Sequence, residues 1–212
     1  MDPAPEVFGG ENIPTSGPCL VVFNHYSRPG FHAWWIALAV ASLLPKGAHF
    51  VMTNELTFPG RWYAPFGRPV SRWVLIRAAK VYGFSSMPPM PPRAKDVSAR
   101  ARSVKDVLAY ADRTSNPVIC LAPEGGDNPG GGLAVPPSGV GRFIGHLAGR
   151  GLKISPAGIW EQDGILLIRF GPPFELAVPD ELPPDERDRQ GANQVMNNIA
   201  LLLPRQFRGA YQ

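Results

Sequence analysis

The chain has 212 residues, of which 44% are hydrophobic, so it is long and apolar enough for one globular domain with a buried core. Its net charge is only +4, but residues 61–105 carry ten Lys and Arg against one acid, which indicates either an anionic partner or a solvated basic face. The longest apolar run, residues 33–44, is too short for a membrane span, which needs about 20 residues.

The N-terminal segment indicates the cellular compartment, and the two cysteines indicate whether a metal site or a disulfide is expected. Residues 1–18 lack the basic and apolar regions of a signal peptide, so we expect a cytoplasmic protein. We interpret the whole chain as one domain, with residues 1–18 as an N-terminal extension and residues 171–212 as a C-terminal loop and helix. Cys19 and Cys120 lie in apolar runs without Cys or His at metal-ligand spacing, which predicts buried thiols and no metal site. A disulfide between them is the alternative.

The first candidate catalytic residue follows a short apolar run. Residues 21–23 predict a buried strand because they are apolar and rich in β-branched side chains, and His25 lies just beyond its end. A histidine at this position suits a general base, since the strand holds the ring while the following loop leaves it open to substrate. A structural histidine is the alternative interpretation.

Helices and strands alternate along the rest of the chain. The periodicity predicts helices over residues 31–44, 69–80, 97–116, 139–147 and 189–203, and strands over residues 48–53, 118–122, 153–159 and 164–170. This order implies an α/β fold with a layered, substantially parallel central sheet flanked by helices. The prolines of residues 85–93 predict an extended loop, and Ser138 is a candidate N-cap of the fourth helix. The expected buried face of the third helix consists of Val97, Ala101, Val104, Leu108 and Ala111.

Residues 58–81 combine aromatic side chains with arginines. The aromatic members are Phe58, Trp62, Tyr63, Phe66 and Trp73, and the arginines are Arg61, Arg68, Arg72 and Arg77. Such a mixture is typical of an acyl-binding groove or of a membrane interface, and ordinary packing is the alternative.

A second polar turn follows another predicted strand. Residues 118–122 lead directly into a Pro-Glu-Gly-Gly-Asp turn at residues 123–127. Because the C-terminal ends of parallel strands converge on the ligand crevice, we expect this turn to face the same crevice as His25.

In this order and spacing, the two turns resemble the motifs of the glycerolipid (lysophospholipid) acyltransferase family, over about residues 10–176. The family's first motif is usually Asn-His-x-x-x-x-Asp after a strand; here Asn24 and His25 are present and Gly30 stands in place of the aspartate. The Pro-Glu-Gly motif is intact, but Gly126 and Asp127 replace its usual Thr-Arg continuation.

The resemblance implies transfer of a fatty acyl group from a thioester, acyl-coenzyme A or acyl-carrier protein, to an acceptor hydroxyl in lipid metabolism, with no further cofactor. His25 would be the general base that deprotonates the hydroxyl. Glycine cannot orient the imidazole as the family's aspartate does, so Glu124 is the first candidate to replace that aspartate, Asp127 the second and His32 a less favoured third. A Glu124 that only bonds local backbone donors is the alternative.

Further expectations concern substrate and location. The expected substrate contacts are Asn24, Ser27, Arg28, Pro123, Gly125, Gly126 and Asp127. Neither residues 82–86 nor residues 126–128 supply the arginine with which family members clasp phosphate, so we expect a non-phosphorylated acceptor. The expected partners are an anionic surface at the inner face of a membrane or an acidic carrier protein, and nucleic acid is disfavoured because the basic segment is interrupted by prolines. The alternative function is a catalytically impaired family member that binds lipid or acyl chains without turnover.

Overall fold

The protein is built around one sheet. In a computed structural model, which describes residues 4–28, 30–31, 34–126, 128 and 131–212, seven strands form this sheet and five α-helices flank it, which confirms the predicted α/β class. The strands are β1 (Glu6–Phe8), β2 (Cys19–Phe23), β3 (His49–Thr53), β4 (Ser85–Met87), β5 (Val118–Leu121), β6 (Lys153–Gln162) and β7 (Ile165–Phe170). The helices are α1 (Trp34–Leu43), α2 (Ala64–Tyr82), α3 (Val97–Arg113), α4 (Val140–Ala148) and α5 (Pro184–Leu202).

The sheet is mostly parallel. Its strand order is β1-β7-β6-β2-β5-β3-β4, and each neighbouring pair is parallel except the antiparallel β6–β7 hairpin. β1, which comes from the predicted N-terminal extension, pairs with β7. β2 lies at the centre, and its residues Leu20, Val21 and Val22 are fully buried. Its uninterrupted apolar sequence fits this position, because a strand covered on both faces has no polar side.

Among the differences from the predicted elements are those at α2, at α5 and at residues 85–87. α2 begins at Ala64 rather than at residue 69, so Pro69 lies inside the helix. α5 begins at Pro184 rather than at residue 189. Residues Ser85–Met87, predicted as loop, form the edge strand β4, which ends before the first proline of that segment. An edge position tolerates the adjacent prolines because no further strand requires their missing N–H groups.

The buried face of α3 matches the predicted one in part. Of the predicted stripe, Ala111 is buried and Leu108 packs against the core, whereas Val97 is 65% exposed. Ser103, which lies outside that stripe, is also buried. Ser103 points inward because its hydroxyl donates a hydrogen bond to the carbonyl oxygen of Ser86 on β4, at 2.7 Å.

The N-terminus of α4 is capped by a side chain from α5. The carboxylate of Asp188 accepts hydrogen bonds from the backbone N–H groups of Gly139, at 2.6 Å, and Arg142, at 2.8 Å. An anion suits this position because the first N–H groups of a helix lack intrahelical partners and its dipole is positive there. The prediction that Ser138 is the N-cap is therefore wrong. The two helices approach closely enough that a Cβ on Gly141 would collide with the carbonyl oxygen of Asp188.

The two cysteines are free thiols buried in the neighbouring strands β2 and β5. Burial raises the pKa of Cys19 to about 11, and it raises the pKa of Cys120 as well. The prediction of buried thiols is confirmed, and both stay protonated and unreactive at neutral pH.

Candidate active site

The residues that follow β2 and β5 come together at one edge of the sheet. The two strands are adjacent and parallel, and Val22 is level with Leu121, so the chain three residues further along each strand lies side by side. There the backbone N–H of His25 donates a hydrogen bond to Oε2 of Glu124, at 2.6 Å. The predicted convergence of the two turns is therefore confirmed.

Glu124 is a buried carboxylate held by main-chain donors. The residue is 6% exposed, and its Oε1 accepts a second hydrogen bond from the backbone N–H of Ala134, at 2.7 Å. Burial raises the pKa of the Glu124 carboxyl, although the two backbone hydrogen bonds and the charge of His25 act in the opposite direction. The first donor, the N–H of His25, is 99 residues from Glu124 in sequence. The carboxylate therefore joins two strand ends rather than closing only a local turn.

Asn24 links the end of β2 to β6. The residue is 1% exposed, its Nδ2 donates to the carbonyl oxygen of Ile159 at 2.8 Å, and its Oδ1 accepts from the N–H of Ile159 at 2.7 Å. The side chain thus satisfies two backbone groups of β6 beyond the end of β2. Both ends of the amide are thus engaged within the chain, and the substrate contact predicted for Asn24 stays a prediction.

Arg28 connects the loop after β2 to β6. Its guanidinium donates two hydrogen bonds to the carboxylate of Glu161, from Nε at 2.7 Å and from Nη2 at 2.8 Å, and this interaction raises the pKa of Arg28. The guanidinium also lies over the ring of Phe31, 5.7 Å from its centroid. Ser27, the preceding predicted site residue, is half-buried. No sequence signal identified Glu161, which is 133 residues from its partner.

The Pro-Glu-Gly turn depends on its glycine. Gly125 has a φ of 70°, in the left-handed region that favours glycine, and its N–H donates to the carbonyl oxygen of Ala122 at 3.1 Å. A Cβ on Gly125 would also lie 3.0 Å from Cγ of Met90. Pro123 is buried beside the turn, and Gly126 is half-buried after it. The glycine therefore permits the tight turn that includes Glu124.

The C-terminal tail, residues 204–211, also contacts the site, which the sequence did not predict. Leu133 forms two backbone hydrogen bonds with this tail. The N–H of Leu133 donates to the carbonyl oxygen of Phe207 at 3.0 Å, and the carbonyl oxygen of Leu133 accepts from the N–H of Ala210 at 3.1 Å. The ring of Phe207 meets the ring of Tyr26 edge-on, with centroids 5.9 Å apart. The tail therefore supports both the loop that donates to the buried carboxylate and the residue next to the histidine.

The tail also carries a tyrosine hydroxyl into this region. The Oη of Tyr211 is buried, and its pKa is raised first by that burial and second by the negative charge of Glu124. Tyr211 therefore stays a neutral hydroxyl at neutral pH. The short polar tail contains no motif that marks it as part of a site.

Two predicted site residues, Asp127 and His32, lie outside the described residues. Within the part of the chain that the structure describes, no group of three or more His, Cys, Asp or Glu is arranged to hold a metal ion. The helices of that same part include none with the length and apolar content needed to cross a bilayer.

Comparison with protein-family models matches residues 4–160 to the family described as Acyltransferase. The match extends from before β1 into β6 and includes both strand-end turns, whereas α5 and the C-terminal tail lie beyond it. No match was found among curated proteins.

Proposed function

Because this chain belongs to the Acyltransferase family, the glycerolipid acyltransferases, we propose that it moves a fatty acyl group from a thioester to an acceptor hydroxyl in lipid metabolism. The proposed donor is acyl-coenzyme A or acyl-carrier protein, with no further cofactor. The observation that carries the proposal is the hydrogen bond between the backbone of His25 and the buried Glu124, because it joins the two motif turns in one site.

His25 is the proposed general base. Its Nδ1 is buried, so we assign Nε2 as the nitrogen that takes the proton of the acceptor hydroxyl. The hydroxyl oxygen forms a bond to the thioester carbonyl carbon, and the resulting tetrahedral intermediate breaks its C–S bond. The imidazolium returns its proton to the departing thiolate. The products are an ester and a free thiol, and the histidine ends in its starting state.

Gly30 stands where the family has an aspartate. We propose that Glu124 takes over the positioning role of that aspartate. Its hydrogen bond fixes the main chain of His25, and its negative charge favours the imidazolium that forms during transfer. Charge interactions are strong at a buried position, because little water screens them. Asn24 is proposed to support the same strand end from β6, and Asp127 stays the second candidate for the aspartate's role.

We propose a non-phosphorylated acceptor. The guanidinium of Arg28 is close to His25 in sequence, but it donates two hydrogen bonds to the carboxylate of Glu161. A guanidinium whose charge is already compensated attracts a phosphate less strongly. The proposed acceptor contacts are the residues of the two turns: Ser27, Pro123, Gly125 and Gly126.

Thiol release tests this proposal. Purified protein is supplied with a long-chain acyl-coenzyme A and a panel of phosphorylated and non-phosphorylated hydroxyl acceptors. His25→Ala is expected to lower thiol release by about 100-fold to 10,000-fold. His146→Ala, which changes an exposed histidine on α4, is the matched control and is expected to keep wild-type rates.

Three results would count against the proposal. Equal rates in the two histidine variants would remove His25 as the base. Faster turnover of phosphorylated than of non-phosphorylated acceptors would overturn the acceptor assignment. Binding of acyl-coenzyme A by the wild type without any thiol release would favour the alternative, a catalytically impaired family member that binds acyl chains.

A further inference from the structure

The outward face of α2 is apolar, the reverse of an ordinary surface helix. Phe66, Val70, Trp73, Val74 and Val81 recur at helical spacing and form one stripe. These side chains are between 48% and 75% exposed, and Trp62, just before the helix, is 86% exposed.

The inward side of the same helix consists mainly of small residues. Ala64 and Ala79 are buried, while Gly67 and Ser71 are half-buried. The helix therefore packs through small side chains and directs its largest aromatic ones away from the sheet. Packing within the chain does not account for such an arrangement, and an exposed apolar patch of this kind marks an interaction surface.

Positive charge accompanies the apolar stripe. Residues 56–95 contain seven Lys and Arg and no Asp or Glu. Arg72, Arg77 and Lys80 are exposed on α2, and the guanidinium of Arg77 lies 5.6 Å from the ring centroid of Trp73. Trp residues and long basic side chains are those that settle at the boundary between hydrocarbon and lipid head groups.

We propose that the outward face of α2, together with Trp62, docks this protein onto an anionic membrane surface. The apolar stripe enters the head-group region, and the cations beside it contact lipid phosphates. The observations on this surface do not depend on the acyl-transfer chemistry. A second copy of the chain fits less well, because two basic faces repel each other. An acidic protein would match the charge but does not account for a protruding stripe of Trp, Phe and Val.

Vesicle flotation of the purified full chain tests the proposal without any acyl donor. The wild type is expected to float with phosphatidylcholine vesicles that contain phosphatidylglycerol, to bind pure phosphatidylcholine weakly, and to dissociate as salt is raised. The variant Arg72→Gln/Arg77→Gln/Lys80→Gln is expected to bind the anionic vesicles about a hundredfold more weakly. Phe66→Ser/Trp73→Ser removes the apolar anchor and is expected to cause a similar loss.

Matched controls lie on α5. Leu201→Ser changes a side chain that is 70% exposed, and Arg189→Gln changes an exposed cation; both are expected to bind like the wild type. Thermal unfolding of every variant verifies that the fold is intact.

The proposal is overturned if the wild type does not bind phosphatidylglycerol vesicles, or if both α2 variants bind them as tightly as the controls do. It is also overturned if the α2 substitutions abolish self-association in light scattering, or binding of an acidic acyl-carrier protein, while vesicle binding is unchanged. None of these readouts requires catalytic turnover, so they separate this proposal from the proposed function.

Discussion

In most proteins polar side chains are exposed and large apolar ones are buried. The candidate active site at the ends of β2 and β5 departs from this pattern by burying polar side chains, and the outward face of α2 departs from it by exposing apolar ones. At the site, the polar side chains of Glu124 and Asn24 are only 6% and 1% exposed. On α2, the apolar side chains of Phe66 and Trp73 are 75% and 64% exposed. A buried polar group is unfavourable unless it is hydrogen-bonded, and a large apolar patch in water is unfavourable unless something covers it.

The two regions differ in where the compensation comes from. At the site, the chain itself supplies the partners, since the backbone groups of Ile159, Ala134 and His25 satisfy the two side chains. On α2, the proposed partner is external. Substitutions at the site should therefore lower the free energy of unfolding, whereas substitutions on the α2 face should leave it unchanged and alter only binding.

Of the substitutions in these two regions, Asn24→Ala is expected to cause the largest loss of stability. The change removes two hydrogen bonds and leaves the N–H and carbonyl oxygen of Ile159 without them, which we expect to lower the free energy of unfolding by about 2–5 kcal/mol. Urea denaturation measures the loss. Asn198→Ala is the control, because that side chain donates one hydrogen bond within α5, to Gln194, and its removal should cost about 1 kcal/mol or less. Equal losses would mean that the link to β6 contributes little.

Glu124→Gln is expected to have the next largest effect. The amide offers one acceptor oxygen to two backbone donors, so the N–H of His25 or that of Ala134 loses its bond, at a cost of about 1–3 kcal/mol. If Glu124 positions the base, kcat should fall while KM changes little. The exposed Glu181 provides the control, Glu181→Gln, which should alter neither quantity. A variant that is destabilised yet retains the wild-type kcat would leave Glu124 a structural role only.

The pH dependence of stability sharpens this prediction. Burial raises the pKa of Glu124 above its ordinary value of 4.5, so between that value and the raised one the folded state binds more protons than the unfolded state. Wild-type stability therefore falls as the pH rises through this window, and Glu124→Gln lacks that step. The stability of the wild type relative to the variant should be greatest in acid and shrink toward neutral pH. A difference that grows with pH would show that hydrogen bonding outweighs burial in setting this pKa.

The position of the site was predictable from sequence, but its contacts were not. Apolar runs that end at polar turns are local signals, and they placed His25 and Glu124 at neighbouring strand ends correctly. The partners of the carboxylate are backbone N–H groups, which every residue except proline carries, so residue type gives no indication of them. The contact between Phe207 and Tyr26 joins distant segments and likewise has no local signal.

The sequence also did not predict whether a given helix face points toward the core or toward solvent. Periodicity shows which residues share a face, but it does not show whether that face meets the core or the solvent. For α2, the small residues Gly67 and Ser71 allow close packing, and the apolar stripe points outward. For α3, the hydrogen bond from Ser103 to β4 turns a polar residue inward against the apolar pattern.

The smallest effect on stability is expected on the α2 face. Phe66 and Trp73 are exposed in the folded state, so Phe66→Ser/Trp73→Ser should change the free energy of unfolding by about 0.5 kcal/mol or less in the absence of lipid. Phe143→Ser, at a site only 6% exposed on α4, is the matched buried substitution and should cost about 3–5 kcal/mol. Urea denaturation of both proteins compares the two faces directly. If the α2 variant were destabilised as much as the α4 variant, the stripe would be packed against the chain itself, and the contrast between an internally satisfied site and an externally covered helix would be lost.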